Sequence, residues 1–145
     1  MTTSRPEDIL EKLRTLLTAG CDARVERNSV LPEKIPADGL IVIYDGDPGE
    51  PELVLGGFNN AYYEHQIEVV LYMEEGNPAQ RDQKFDAMLV QIGQVLEANP
   101  KLDGLVAGLS YARPEIAIEP VIGAPAIKTG TLIIVVEYDT DSPLS

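Results

Sequence analysis

Four carboxylates crowd the segment YDGDPGEPE: Asp45, Asp47, Glu50 and Glu52, set among two glycines and two prolines. Oxygen ligands at this density are what a calcium loop uses. An EF-hand-type loop needs oxygen ligands at positions 1, 3 and 5, glycine at 6 and a bidentate glutamate at 12. Counted from Asp45, position 3 is Asp47, but position 5 is Gly49, position 6 is Glu50 and position 12 is Gly56. Pro48 and Pro51 also stiffen the chain where it would have to wrap an ion. The segment reads instead as a sharp hairpin turn with a solvated acidic tip.

The other reactive residue types are isolated. His65 is the one histidine of the chain, with Glu64 and Glu68 close in sequence. General acid–base catalysis often uses a histidine oriented by a carboxylate. On a strand, however, both glutamates point to the face opposite His65, which shares its own face with Ile67 and Val69. A packed histidine is the expectation. Cys21 is the single cysteine, which rules out an intrachain disulfide, and a zinc site needs several more Cys or His ligands. It alternates with Ala23 and Val25, the pattern of a small core residue. Ser110 in GLSYA lacks the second glycine of a nucleophile elbow. GLVAGL has neither the lysine nor the strand-to-helix setting of a phosphate loop. No convergent polar set suggests catalysis, and no cofactor is expected.

Bulk properties narrow the partners. The chain has 145 residues, long enough for one domain with a real core. Eleven basic against 24 acidic residues give a net charge of −13. Such a surface repels phosphate backbones and anionic membranes, so neither nucleic-acid binding through a basic groove nor membrane attachment is expected. The start MTTSRPEDILEK shows no apolar signal core, and the longest apolar run in the C-terminal third, LIIVV, is far short of a membrane span. A soluble protein that stays where it is made is the expectation.

The positioning elements follow from periodicity. Ser4, Pro6, Glu7 and Asp8 form a helix start, and Ile9, Leu10, Leu13, Leu16 and Leu17 one apolar stripe that stops at Gly20. CDARVERN alternates like a half-buried strand. GLIVIY and ELVLGG, on either side of the acidic turn, read as a hairpin. In NAYYEHQIEVVLYMEEG, Tyr63, His65, Ile67, Val69, Leu71 and Met73 share one face. Asn77 and Pro78 open a second helix, roughly 30 Å long, with Phe85, Met88, Leu89, Ile92, Val95 and Leu96 on its stripe. KLDGLVAGLSY suggests a short third helix, and PEIAIEP and TGTLIIVVEYD two closing strands. Residues 1–145 thus form a single α+β domain with frayed ends at about 1–4 and 140–145. Its order is α-β-β-β-β-α-(α)-β-β, with about six mostly antiparallel strands and two or three helices packed on one face.

That plan leaves too much apolar surface. Leu132, Ile134, Val136 and Tyr138 fill one face of the last strand, yet Ile133 and Val135 sit on the other. Val70 and Tyr72 lie on the nominally polar face of the long strand, and GLIVIY is apolar on both sides. Either the sheet curls on itself or a subunit interface covers the second face; the interface is favoured.

The segments ARVERN, PEKIPADGLIVIYDGDPGEPE, YEHQIEVVLYM, NPAQRDQKFDAMLVQIG and APAIKTGTLIIVVEYDTDSP resemble the tail terminator proteins of long-tailed bacteriophages and related gene-transfer particles, from about residue 5 to the end. The resemblance implies a non-enzymatic virion structural protein, with its own copies, the tail tube protein and a head–tail connector protein as partners. It also implies a homo-oligomeric ring, usually of six subunits, that caps the tail tube, stops its growth and offers the head-joining surface. Assembly would take place in the bacterial host cytoplasm, and the ring would then sit in the tail of the particle. In such a ring Asp45, Asp47, Glu50 and Glu52 are a candidate contact loop toward the tube or the neighbouring subunit. Val70, Tyr72, Ile133 and Val135 are candidate interface residues, with Arg81, Lys84 and Lys128 as basic partners for carboxylates across it. The alternatives are another head–tail connector or completion ring, or a small group-transferring enzyme using His65.

Copies of a −13 chain repel one another at low ionic strength. Added salt or magnesium, which screen carboxylates, should therefore shift the protein toward its oligomer in sedimentation. Dissociation on adding salt would contradict this.

Overall fold

The computed structural model describes residues 2–30, 34–53 and 60–145. Two helices and seven strands follow in the order α1 (Arg5–Gly20), β1 (Arg24–Arg27), β2 (Leu40–Asp47), β3 (Glu52–Leu53), β4 (Ala61–Glu74), α2 (Pro78–Ala98), β5 (Gly108–Tyr111), β6 (Glu115–Val121) and β7 (Ala124–Thr140). Both helix starts match their sequence signals. The Ser4 side chain accepts from the Glu7 amide and Asn77 from the Gln80 amide, each with proline in the first turn. These caps satisfy backbone donors that have no intrahelical partner.

One sheet runs β1-β2-β4-β7-β5, with β3 also on β4 and β6 also on β7. All pairs are antiparallel except β1–β2, which makes the sheet mixed at one edge. The centre is the β4–β7 ladder, in register from Ala61↔Thr140 to Glu74↔Ile127. Period-2 alternation puts Tyr63, His65, Ile67, Val69, Leu71 and Met73 inward from β4, and Leu132, Ile134, Val136 and Tyr138 inward from β7. Both helices cover this face: Leu10, Leu13 and Leu17 of α1 and Phe85, Met88, Ile92 and Leu96 of α2 join the same core. The helices approach closely at Gly20, where a β-carbon would lie 2.3 Å from a Val95 methyl.

Two expectations are corrected. KLDGLVAGLSY holds a three-residue 3-10 turn, Leu102–Gly104, and then strand β5 rather than a third helix. Leu102, Asp103 and Gly104 all have positive φ, a left-handed run that ends any helix. Beyond it the alternation of Leu109 and Tyr111 against Ser110 fits the edge of β7.

The acidic segment is also not a hairpin turn. β2 pairs with β4 from Leu40↔Tyr72 to Asp47↔Gln66, and β3 pairs with the same strand at Glu52↔Tyr62 and Leu53↔Ala61. The chain therefore continues in one direction along β4, with a register shift between Tyr44 and Asp47. The detour is a bulged interruption of one strand course. The rest of the expected second strand, 54–57, lies outside the described residues.

Among the described residues the second face of the sheet carries no helix. At its β2 end Leu40 and Val42 are buried all the same. Parallel β1 and β2 require the chain to recross the sheet. The Tyr44 hydroxyl donates to the Ser29 carbonyl (2.9 Å), which fixes the start of that crossing on the second face. Farther along the same face Ile133 is exposed, and Val70 and Val135 are half-buried.

Gly46 is the tightest point of the bulge. Its φ is +72°, and a β-carbon there would lie 1.8 Å from the Gln66 carbonyl oxygen. Gly46→Ala should cost more than about 2 kcal/mol in urea denaturation, since both the backbone region and the space exclude it. Gly76→Ala, with nothing within 4 Å, should stay within about 0.5 kcal/mol of wild type. Equal stability of the two variants would contradict the bulge assignment.

Candidate functional site

The acidic segment, the histidine and the first helix meet at one end of the sheet through Arg27. Alternation carries Ala23, Val25 and Arg27 onto the helix-covered face, so an arginine arrives where an apolar residue would be expected. Its guanidinium meets two carboxylates, each bidentate. Nη1 and Nη2 donate to Glu7 of α1 (2.6 and 3.0 Å), while Nε and Nη2 donate to Asp45 of β2 (2.9 and 3.1 Å). Glu11 stands 3.7 Å from Nη1. Arg27 holds its proton more tightly than a free arginine, chiefly through the Glu7 and Asp45 hydrogen bonds. Burial alone would raise the Asp45 carboxyl. The hydrogen bonds from Arg27 and Asn28, with the Arg27 charge, bring it below the usual carboxylate range.

The backbone of Asp45 serves the other side of the bulge. Its carbonyl accepts from His65 Nε2 (2.6 Å), and His65 Nδ1 faces the Tyr138 hydroxyl (2.8 Å). A carbonyl can only accept, so Nε2 carries the proton, and in the neutral ring Nδ1 accepts from Tyr138. Burial pushes the Tyr138 hydroxyl up to about 12, so it remains a donor through the neutral range. Tyr138 also stacks on Tyr63, ring centroids 5.4 Å apart. His65 is 3% exposed, and both its nitrogens are engaged. This matches the packed histidine expected from the sequence. It leaves the ring no free nitrogen with which to take a substrate proton.

The remaining acidic positions are placed outward. Asp47 accepts from the Gly49 amide (2.8 Å), an Asx-type turn, and Glu50 and Glu52 are exposed. Among the described residues no three His, Cys, Asp or Glu side chains converge as a metal site. Cys21 is buried at the end of α1, and burial, with Asp22 beside it, pushes its thiol up to about 11. That is the inert form of a cysteine at neutral pH.

The candidate interface residues separate into two groups. Val70, Ile133 and Val135 lie together on the bare sheet face, through the pairs Val70↔Thr131, Glu68↔Ile133 and Gln66↔Val135. Ile133 is exposed and the two valines half-buried. Tyr72, half-buried near Tyr44, completes the group toward β2, and burial raises its hydroxyl. The basic residues lie on the helix side and have partners within the chain. Arg81 Nε is 3.4 Å from Asp82, Lys84 Nζ is 2.9 Å from Glu75, and Lys128 Nζ is 3.1 Å from Asp82. Lys128 also stands over the Phe85 ring, 5.0 Å from its centroid.

Two features of this map escaped the sequence reading. Arg27 as a hub was signalled by a charged residue in phase with Ala23 and Val25. A cleft of about 320 Å³ between α2 and the β5–β6 edge had no sequence signal, because its walls come from distant segments.

The chain matches no family model and no curated protein. Among solved structures it aligns with a chain of the "Virion of native gene transfer agent (GTA) particle" at a TM-score of 0.45. Sequence identity is 14%, over 92% of this chain and 94% of that one. Among the described residues no helix is long and apolar enough to cross a membrane.

Asp45 has a lowered folded-state pKa, so the folded chain binds its proton less readily than the unfolded chain does. Its contribution is complete above the unfolded pKa and disappears as pH falls through the folded one. Stability should therefore drop on acidification below about pH 4. Asp45→Asn should be less stable at neutral pH and flatten that acid limb. An Asp45→Asn chain with the wild-type acid slope would contradict the assignment.

Proposed function

We propose that this chain is a virion structural protein of the tail terminator kind. In this reading copies close into a ring on the end of a tail tube, stop further addition of tube protein and present the surface to which the head joins. The observation that carries it is the bare sheet face, with Val70, Ile133 and Val135 on the side that neither α1 nor α2 covers. Uncovered apolar area on a strongly acidic protein is a place for another protein to sit. The sequence resemblance to tail terminators names the class of partner: other copies, the tube protein and a connector protein.

The contacts divide by chemistry. The face around Val70, Tyr72, Ile133 and Val135 serves as a subunit interface. Asp47, Glu50 and Glu52, exposed on the bulge, face the tube or the neighbouring subunit. Asp45 takes no direct part, because Arg27 and Asn28 hold its carboxylate. Of the basic residues, Arg81 is buried and Lys128 largely shielded, so Lys84 is the one exposed to contribute across an interface, by sharing the Glu75 carboxylate it already touches. A single exposed pair of that type adds less than about 1 kcal/mol. An enzymatic role for His65 is disfavoured by its burial and by the two hydrogen bonds that occupy its ring.

The deciding experiment is tail assembly with and without the protein, read by electron microscopy. Without it, tubes should grow past their normal length and fail to join heads; with it, length and joining should be restored. Ile133→Glu with Val135→Glu should abolish that rescue while the isolated chain keeps its fold. Tails of normal length without the protein would overturn the terminator reading. If those tails also lacked heads, a connector would be the better assignment.

A further inference from the structure

The strongest unassigned feature is the β6–β7 hairpin. β4 reaches along β7 only as far as Ile127, and the hairpin runs on past it to a turn at Ile122 and Gly123. The overhang, from Ile127 to Ala124, is about 10 Å long at the rise of a strand. Every residue of β6 is exposed. Four of the nine exposed large hydrophobics among the described residues lie here: Ile116, Ile118, Val121 and Ile122. Ile122, at the turn, is fully exposed at 104%. The segment 113–136 has two acids, Glu115 and Glu119, and two bases, Arg113 and Lys128. It is electrically neutral in a chain of net charge −13.

The cleft on the helix side is of matching character. It holds about 320 Å³ between Leu89, Gly93 and Leu96 of α2 and Tyr111, Arg113 and Leu132. No carboxylate lines it. Its one charge, Arg113, has no carboxylate within ion-pair distance among the described residues. Gly93 adds a second indication. It sits in the interior of a 21-residue helix, where glycine is costly. A β-carbon there would meet nothing within 4 Å. The fold of the single chain gives no reason for glycine at this position, whereas an occupant of the cleft does.

We propose that the occupant is the hairpin tip of a second copy of this chain, with Ile122 and Val121 in the cleft and Glu119 beside Arg113. The chain's own tip is excluded. Ala124 and the cleft residue Leu132 are eight positions apart on one rigid strand, about 25 Å. Charge selects a second copy over an arbitrary acidic partner surface: two chains of −13 can approach closely only where they are neutral or oppositely charged. Tip and cleft are different surfaces, so the contact is head-to-tail and propagates until it closes into a ring. The inference rests on the ring reading above for closure, and adds the joint between neighbours.

The test uses two full-length variants at positions where the single chain has no packing to lose, Ile122→Asp on the tip and Gly93→Leu in the cleft. Circular dichroism first verifies that both fold, and sedimentation in moderate salt then gives the association state. Wild type should self-associate, and each variant alone should weaken that association by more than about 30-fold, the range of a hot-spot residue. An equimolar mixture should form a dimer and nothing larger, because the intact tip of one variant fills the intact cleft of the other. Arg113→Glu should weaken association, and Glu119→Arg in the same chain should restore it. Wild-type assembly by either variant alone would overturn the joint and leave the ring reading to the bare sheet face. A wild-type chain monomeric to about 1 mM would also overturn it. The tail-length assay would then decide separately whether the protein caps tubes.

Discussion

The long antiparallel ladder between β4 and β7 is the interaction on which the other elements depend. β2 and β3 hydrogen-bond to β4, and β5 and β6 to β7; β1 reaches the sheet only through β2. The inward alternation of the same two strands supplies the floor on which both helices lie. With Ile67, Val69, Leu71, Ile134 and Val136 wholly shielded from water, each side chain contributes about 1.5–3 kcal/mol of transfer free energy. A one-residue slip would send that whole set to the solvent side, so the register is strongly specified. The hairpin overhang follows from the same ladder: β7 is longer than β4, and its surplus at one end has only β6 beside it.

At the other end of the ladder the fold handles a strand that does not run straight. The bulge at Gly46 turns the Asp45 carbonyl toward His65 and the Asp45 side chain toward Arg27. Glu7 then ties the first helix into the same cluster. Removing one member would leave a partly buried donor or acceptor without its partner, the expensive case for polar groups away from water. This is a structural use of residue types that also do catalysis. Its tight occupancy argues against chemistry, because a general base needs a free nitrogen aimed at a substrate.

The two faces of the sheet also differ in how their apolar surface is treated. Helices bury the inner face. On the outer face Leu40 and Val42 are buried, while Ile133 is exposed. Glu64 and Glu68 on β4 and Glu137 on β7 share that face with Ile133, and Arg113 borders it beside Glu68.

Much of this was legible in the sequence. Helix starts at Ser4 and Asn77 are decided within a few residues, because capping is local. The inward set of β4 and β7 is written in period-2 alternation, and the packed state of His65 follows from its phase with Ile67 and Val69. The chain itself also determined the large negative charge and the two-sided apolar character of LIIVV. Tertiary structure alone decided the rest. Whether Asp45 to Glu52 turns back or runs on depends on which strand receives β3, a long-range pairing that two glycines and two prolines permit either way. Arg27 meets Glu7 and Asp45 only because parallel β1 is set between α1 and β2. The cleft beside Gly93 exists because α2 and the β5–β6 edge, far apart in the chain, leave a space between them. Local chemistry specifies local conformation; which surfaces face each other is settled by the packing of all the elements together.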